Sequence, residues 1–143
     1  MRLTYPVTLT PAEEGGFIVG FPDFPEAHSQ GDDKAEALTE AVDCLEAVLA
    51  MYMRLRRAFP HPSRRRHGQH LVAPGSLIAT KAGLYLALAE SGVSQRELAR
   101  RLHVPASHVT RLLDPAHHSR LEQIDAALAA LGKRLAVSVE RAA

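Results

Sequence analysis

A single cysteine, Cys44, is all the thiol that the chain carries. It excludes an intrachain disulfide, and a lone thiol suits a reducing cytosol, so a cytoplasmic protein is expected. No apolar run approaches the roughly 18 residues of a membrane-spanning helix, and no membrane partner is expected. The opening stretch MRLTYPVTLTP lacks the continuous apolar core of a secretory signal. Neither HExxH nor CxxC occurs, so the eight histidines do not compose a zinc motif. His61, His67 and His70 fall in a connector, and His117-His118 in a loop. A two-metal hydrolase needs several carboxylates converging on one site. Glu13, Glu14 and Asp23 lie in or beside turns instead. Cys44 sits beside Val42 and Leu45 on a helix, as a small packed residue rather than a nucleophile. No cofactor, metal or catalytic residue is assigned, and the chain reads as a non-enzyme.

Acids are also missing from one stretch. Residues 54–66 hold six arginines and no acid, a net of +6. Residues 1–53 hold ten acids against Arg2 and Lys34, a net of −8, and residues 67–143 a net of +3. Such asymmetry points to two surfaces with different partners. The acidic block repels nucleic acid and suits a basic partner, while the basic blocks can approach phosphates. The apolar fraction of 46% is that of an ordinary globular protein, and 143 residues suffice for one domain or two small ones.

The fold class read from the pattern is α+β. Leu3, Tyr5, Val7 and Leu9 alternate with Thr4, Pro6 and Thr8, a half-buried strand. Pro6 cannot donate to a ladder and predicts an edge strand or a bulge. A polar turn through Gly15-Gly16 leads to a second strand over residues 16–21, completing a hairpin. Phe21-Pro22-Asp23-Phe24-Pro25 reads as a loop, and residues 27–31 as a short third strand. Asp32 or Asp33 caps a long helix reaching about Arg57. Its predicted buried stripe is Leu38, Ala41, Val42, Leu45, Val48, Leu49, Tyr52 and Leu55. Residues 58–70 read as an exposed connector, and Gln69 to Ala73 as a strand returning to the sheet. The domain boundary is placed at Pro74, giving 1–73, with a basic connector over 58–73, and 74–143.

Beyond Pro74 the pattern turns helical. Helices are predicted over about 76–91, from Gln95 to Leu102, over about 106–113, and from the Ser119–Glu122 capping box to Leu131. Leu135, Val137 and Val139 then alternate with polar or small residues in a last strand. Residues 95–114, QRELARRLHVPASHVTRLLD, carry the motif. Leu98, Leu102, Val104, Val109 and Leu112 lock two short helices across a tight turn, and Ala99 is small where they cross. That spacing is a helix-turn-helix. Its second helix presents Ala106, Ser107, Thr110 and Arg111 outward, with Arg111 placed to read guanine. Gln95, Arg96 and Pro105 complete the expected DNA-binding set, and Ser94–Glu97 form a capping box that orders a helix N-terminus suited to phosphate. Glycine usually stands where His103 does, because that turn favours positive φ.

The whole chain resembles the HicB antitoxins of HicAB type II toxin–antitoxin systems, in the version with a C-terminal helix-turn-helix. The residues that carry the resemblance are Gly16-Phe17-Ile18-Val19, Phe21 to Pro25, Ser29-Gln30-Gly31-Asp32, and the Glu-Ala pairs Glu36-Ala37 and Glu46-Ala47. Glu26-Ala27 stands where family members often have Gly-Cys. The resemblance implies a partial RNase H-like N-terminal fold that blocks a HicA-like toxin. That toxin has a double-stranded-RNA-binding-like fold and cleaves mRNA with a histidine. It implies toxin contact at Phe21, Asp23, Phe24, His28, Gln30 and Asp32, and repression of the chain's own operon at double-stranded operator DNA.

A lone helix-turn-helix covers little DNA, so a homodimer or tetramer is expected. Leu135, Val137 and Val139 are the expected dimer contact, because a strand with an apolar face and no partner in its own half is an association site. The competing arrangement folds that strand onto the N-terminal sheet. The alternative functions are a ligand-sensing transcriptional regulator without a toxin partner and a degenerate RNase H-like hydrolase.

Overall fold

The computed structural model describes residues 2–141. The protein is α+β and divides into two compact units between Ala79 and Thr80. In the first, strands β1 (Tyr5–Pro11), β2 (Phe17–Phe21), β3 (Phe24–Gly31) and β4 (His70–Val72) form one sheet in the order β3-β2-β1-β4. All neighbours are antiparallel. Helix α1 (Lys34–Arg54) covers the sheet. Glycines at φ 95° and 77°, Gly15 and Gly16, turn β1 into β2.

Three details of the sheet correct the expected ones. β2 and β3 join across two residues, Pro22-Asp23, because Phe21 already pairs with Phe24. Phe24 and Pro25 therefore belong to a strand and not to a loop. Pro25 is tolerated there because β3 is an edge strand. β1 is not an edge strand, yet Pro6 breaks nothing. The β2 ladder begins at Thr8 and the β4 ladder covers Tyr5–Val7, so Pro6 has a strand neighbour on one side only.

Burial of apolar surface drives this assembly. Tyr5, Val7, Val19, Phe21, Phe24 and Ala27 face α1 from the sheet and are buried. The Phe24 ring meets Tyr5 edge-on at 4.8 Å and Tyr52 at 5.3 Å between centroids, an arrangement aromatic quadrupoles favour. The buried stripe of α1 is Ala37, Ala41, Leu45, Val48, Leu49, Ala50 and Met53. It is rotated from the expected one. Leu38, Val42 and Tyr52 are only half-buried, and Leu55 is 59% exposed. The reason is close approach: alanines, not leucines, face the sheet where the helix begins. Asp33 caps α1, its Oδ1 accepting from Glu36 N at 2.8 Å. The Glu36 carboxylate accepts in return from Asp32 N at 3.2 Å.

The connector after α1 is exposed but tied down. Tyr5 donates to the Pro60 carbonyl at 2.8 Å, and burial, ahead of Asp23 and Tyr52, pushes its hydroxyl up to about 12. Ser63 gives Asp23 its amide at 2.9 Å and its hydroxyl as well. Gln69 Nε2 donates to Thr8 Oγ1 at 3.1 Å.

The second unit is helical, comprising the C-terminal part of α2 (Ser76–Ser91), then α3 (Gln95–Leu102), α4 (Ala106–Leu113) and α5 (Leu121–Ala130). Leu84, Leu88, Leu98, Val109, Leu112, Ile124 and Leu128 make its core. The expected capping box at Ser119 does not form. Arg120 is the N-cap and its side chain makes no capping bond, because the Ser119 hydroxyl accepts from Lys81 Nζ instead. The expected last strand is not formed in the single chain either. Residues 133–141 have no regular structure, since a strand needs a neighbour to pair with and none adjoins them among the described residues. Leu135 packs on the helical core, while Val137 and Val139 are 78% and 98% exposed.

Gly31 is where sheet and helix come closest. A Cβ there would lie 2.6 Å from Ala37 Cα and 2.9 Å from Glu36 C, both backbone atoms of α1. Neither can swing aside as a side chain could. Gly31→Ala is therefore expected to destabilise the first unit by about 2 kcal/mol or more, in the range of core overpacking, read from the urea midpoint of the full chain.

Candidate nucleic-acid interface and partner-binding face

Local chemistry builds the helix pair α3–α4. Ser94 Oγ accepts from Glu97 N at 3.0 Å and starts α3. The Glu97 carboxylate grips Arg100 at 2.7 and 2.6 Å and Arg101 at 3.3 Å. These guanidinium groups, Arg100 first, hold its carboxyl down at about 2. His103 ends α3 at φ 56°, ψ 42°, the left-handed turn for which glycine is the usual residue. Val104 N then reaches back to the Ala99 carbonyl at 3.0 Å. Leu98 and Val109 are fully buried and Ala99 nearly so at the helix crossing.

The outward face of α4 is open. Ala106, Ser107, Thr110 and Arg111 are all exposed, as are Arg96 and Pro105, and Gln95 is half-exposed. Pro105 is the N-cap of α4 without a side-chain capping bond, which leaves first-turn amides of α4 without a side-chain acceptor. Thr110 Oγ1 donates to the Ala106 carbonyl at 3.2 Å, so its hydroxyl oxygen remains an acceptor toward solvent.

One residue of this unit escapes sequence reasoning. Lys81, in α2, has no exposed surface. Its Nζ donates to the carbonyls of Arg111 and Leu112, both at 3.0 Å, and to Ser119 Oγ at 2.8 Å. Burial lowers its pKa, and Asp114 partly offsets that. The ammonium thus satisfies the Leu112 carbonyl, adds a second donor to the Arg111 carbonyl that Asp114 N reaches at 3.2 Å, and opposes the negative end of the helix dipole. The signal was present in the sequence: SLIATKAGLYLALA holds a single charge among apolar and small residues.

In the first unit the expected partner residues separate into two groups. Phe21 and Phe24 are 3% and 0% exposed. Neither presents a side chain to a partner, because both rings form the core under α1. Asp23 is half-buried and engaged by Ser63. His28, Gln30 and Asp32 are exposed. The register sets Gln30 opposite Ile18, itself 45% exposed, and His28 opposite Gly20. A groove of about 630 Å³ runs between β3 and α1, past Glu26, His28, Cys44, Ala47, Met51 and Tyr52. A hydrogen bond from Tyr52 lowers the Glu26 pKa, and the Arg57 guanidinium stands 5.3 Å from the Tyr52 ring centre. Burial raises the Cys44 thiol, which disfavours a nucleophilic role. Among the described residues no three His, Cys, Asp or Glu side chains gather as metal ligands, and no helix is long and apolar enough to cross a membrane.

Comparison with known proteins matches residues 4–83 to a family described as HicB_like antitoxin of bacterial toxin-antitoxin system. Antitoxin HicB of Escherichia coli (strain K12) is 38% identical over 135 residues, covering 94% of this chain and 98% of the relative. Antitoxin HicB of Pseudomonas fluorescens (strain Pf0-1) is 40% identical over 131 residues, with 91% and 90% covered. Antitoxin HicB 1 of Photorhabdus laumondii is 38% identical over 139 residues, with 97% and 88% covered.

Lys81→Met keeps the length of the side chain and removes its donors. The buried Leu112 carbonyl then loses its donor, at about 1–3 kcal/mol, while the Arg111 carbonyl keeps only the Asp114 amide at 3.2 Å. The expected outcome is a second unit destabilised by about 2 kcal/mol or more, measured by chemical denaturation, with the unfolding of the first unit unchanged.

Proposed function

The chain belongs to the HicB-like antitoxin family, and we propose that it binds and neutralises a cognate HicA-like ribonuclease toxin and represses its own operon. The exposed face of α4, set on a correctly turned helix pair, is the observation that carries the DNA-binding part. Arg111 and Thr110 read base edges in the major groove, with Ala106 and Ser107 beside them. Gln95, Arg96 and Pro105 contact the backbone that flanks those bases. The N-terminal module, residues 1–73, takes the toxin. Its net charge of −8 over residues 1–53 favours a basic RNA-cutting partner and speeds encounter with it. His28, Gln30 and Asp32 are the exposed members of that contact set. The protein works in the cytoplasm as a non-enzyme, by occupying its toxin and its operator.

Operator binding uses a dimer joined through residues 134–140. The exposure of Val137 and Val139 supports this, as does the absence of a strand partner for this segment among the described residues. Pairing with its symmetry mate would satisfy the backbone and bury those valines.

Two experiments test these assignments. Co-expression with the neighbouring toxin gene should yield a stoichiometric complex in which RNA cleavage stops. In the same complex, Arg111→Ala and Thr110→Ala should each weaken operator binding by about 1–3 kcal/mol at fixed salt and leave toxin binding intact. Unchanged affinity and sequence preference would mean the recognition face lies elsewhere. Selective DNA binding by a chain that captures no toxin would favour the ligand-sensing regulator instead.

Deleting residues 134–143 should convert the full-length dimer to a monomer, read by sedimentation at micromolar concentration. A shortened chain that stays dimeric would move the dimer contact to another surface.

A further inference from the structure

The two edges of the sheet differ. Natural sheets blunt their edges with short strands, lysine or proline, because a free edge is a template for another strand. β4 is blunted by its length of three residues. β3 is eight residues long, but its register against β2 shifts between Phe24 and His28, so Pro25–Ala27 bulge and the regular run is His28–Gly31, which contains neither proline nor lysine. Among the described residues no strand pairs with its outer side. Helix α1 lies chiefly over β3 rather than over the middle of the sheet. The groove along that edge has Glu26 and His28 on the strand side and Cys44, Ala47 and Met51 on the helix side. Small side chains at 44 and 47 keep it open.

We propose that the outer edge of β3 receives a strand of the toxin, which pairs with His28–Gly31 and sends alternate side chains into the groove under α1. This rests on the antitoxin function proposed above and names its contact surface. In such strand addition, backbone hydrogen bonds supply affinity and pockets for alternate side chains supply specificity. The four residues of that run offer about 13 Å of ladder, within the range of short strands. Charge selects the occupant. Asp32 lies just past the end of β3, and Glu36, Glu40 and Asp43 follow at helical spacing on the face of α1 that carries Ala47, within a block of net −8. A second copy of the chain would set that charge against itself, whereas a basic strand is attracted. The groove also has a direction. Its far end carries Arg57 over Tyr52, so the incoming strand is basic at the Asp32 end and apolar or acidic at the Arg57 end.

The test uses the full-length chain and the toxin that co-purifies with it. Ala47 is exposed, so Ala47→Arg leaves the fold intact while filling the groove and opposing a basic strand. It should raise the Kd for the toxin by about tenfold or more at fixed salt, a change of the size expected for blocking a central contact. Thr10→Arg, an equal charge change at an exposed position of β1 away from that edge, should leave Kd nearly unchanged. In the wild-type complex, alternate amides of residues 28–31 should gain protection from hydrogen exchange. Wild-type affinity in Ala47→Arg, or a complex that leaves β3 amides unprotected, overturns the proposal. Protection that rises with concentration in the chain alone assigns the edge to a second copy and also overturns it. If no complex forms at all, the antitoxin function fails and the contact surface with it.

Discussion

The close approach of α1 to β3 at Gly31 sets the first unit. Without a side chain at 31, the backbone of Glu36-Ala37 can settle onto the end of the strand. The helix is then anchored over the edge strand at its very start, two residues after the strand stops. Its direction follows, and with it the burial of Phe24 between Tyr5 and Tyr52. The same anchoring leaves the flank of α1 beside a free strand edge. Packing and exposure are thus two results of one backbone contact. A residue with a Cβ at this point would push the helix outward and loosen both.

Much of this was legible in the sequence because short-range chemistry dictates it. The β1–β2 hairpin follows from alternation ending at two glycines. The α3–α4 pair follows from Ser94, a leucine spacing and a proline after the turn. His103 was legible as a strained position and occupies the left-handed region. What sequence pattern could not supply were choices made by tertiary contact. Ser119 looks like a capping serine, but a buried ammonium competes for its hydroxyl and wins. Leu38 and Leu55 fit a helical stripe as well as Ala37 and Met53 do. Only the nearness of the sheet decides that alanine faces inward. Pro6 reads as a ladder breaker and Pro25 as part of a loop, whereas their effect depends on which side of the strand has a neighbour.

The candidate sites divide along the same line. On α4 the outward residues follow from helical periodicity once Val109 and Leu112 are fixed as inward, and the exposed face matches that derivation. On the sheet, Phe21 and Phe24 fall within a motif shared with a family. A shared motif does not distinguish a residue that touches a partner from one that holds the hairpin. Their burial assigns them to the hairpin, and leaves the polar positions of β3 facing solvent. Glu26, Ala47 and Met51 are not among the expected contact residues because they belong to separate elements that only the fold brings to one groove.

Lys81 shows why a charge can be the better choice for an interior. An aliphatic residue at 81 would pack against Leu112 without desolvating an ammonium. It would also leave the Leu112 carbonyl facing the interior with no donor, and the Arg111 carbonyl with the Asp114 amide alone. Helix α4 ends there because Pro115 follows Asp114, and proline disfavours helical geometry in the residue before it. Beyond the Asp114 amide, which reaches the Arg111 carbonyl, no further turn supplies amides to those carbonyls. Lysine reaches them from a separate helix and binds Ser119 at the same time, so one nitrogen joins α2, the end of α4 and the approach to α5. The carbonyl it holds belongs to Arg111, whose side chain points the other way into solvent. The backbone position of that arginine is therefore fixed from inside the unit. An outward side chain needs such fixing if it is to meet a partner at a defined place and angle.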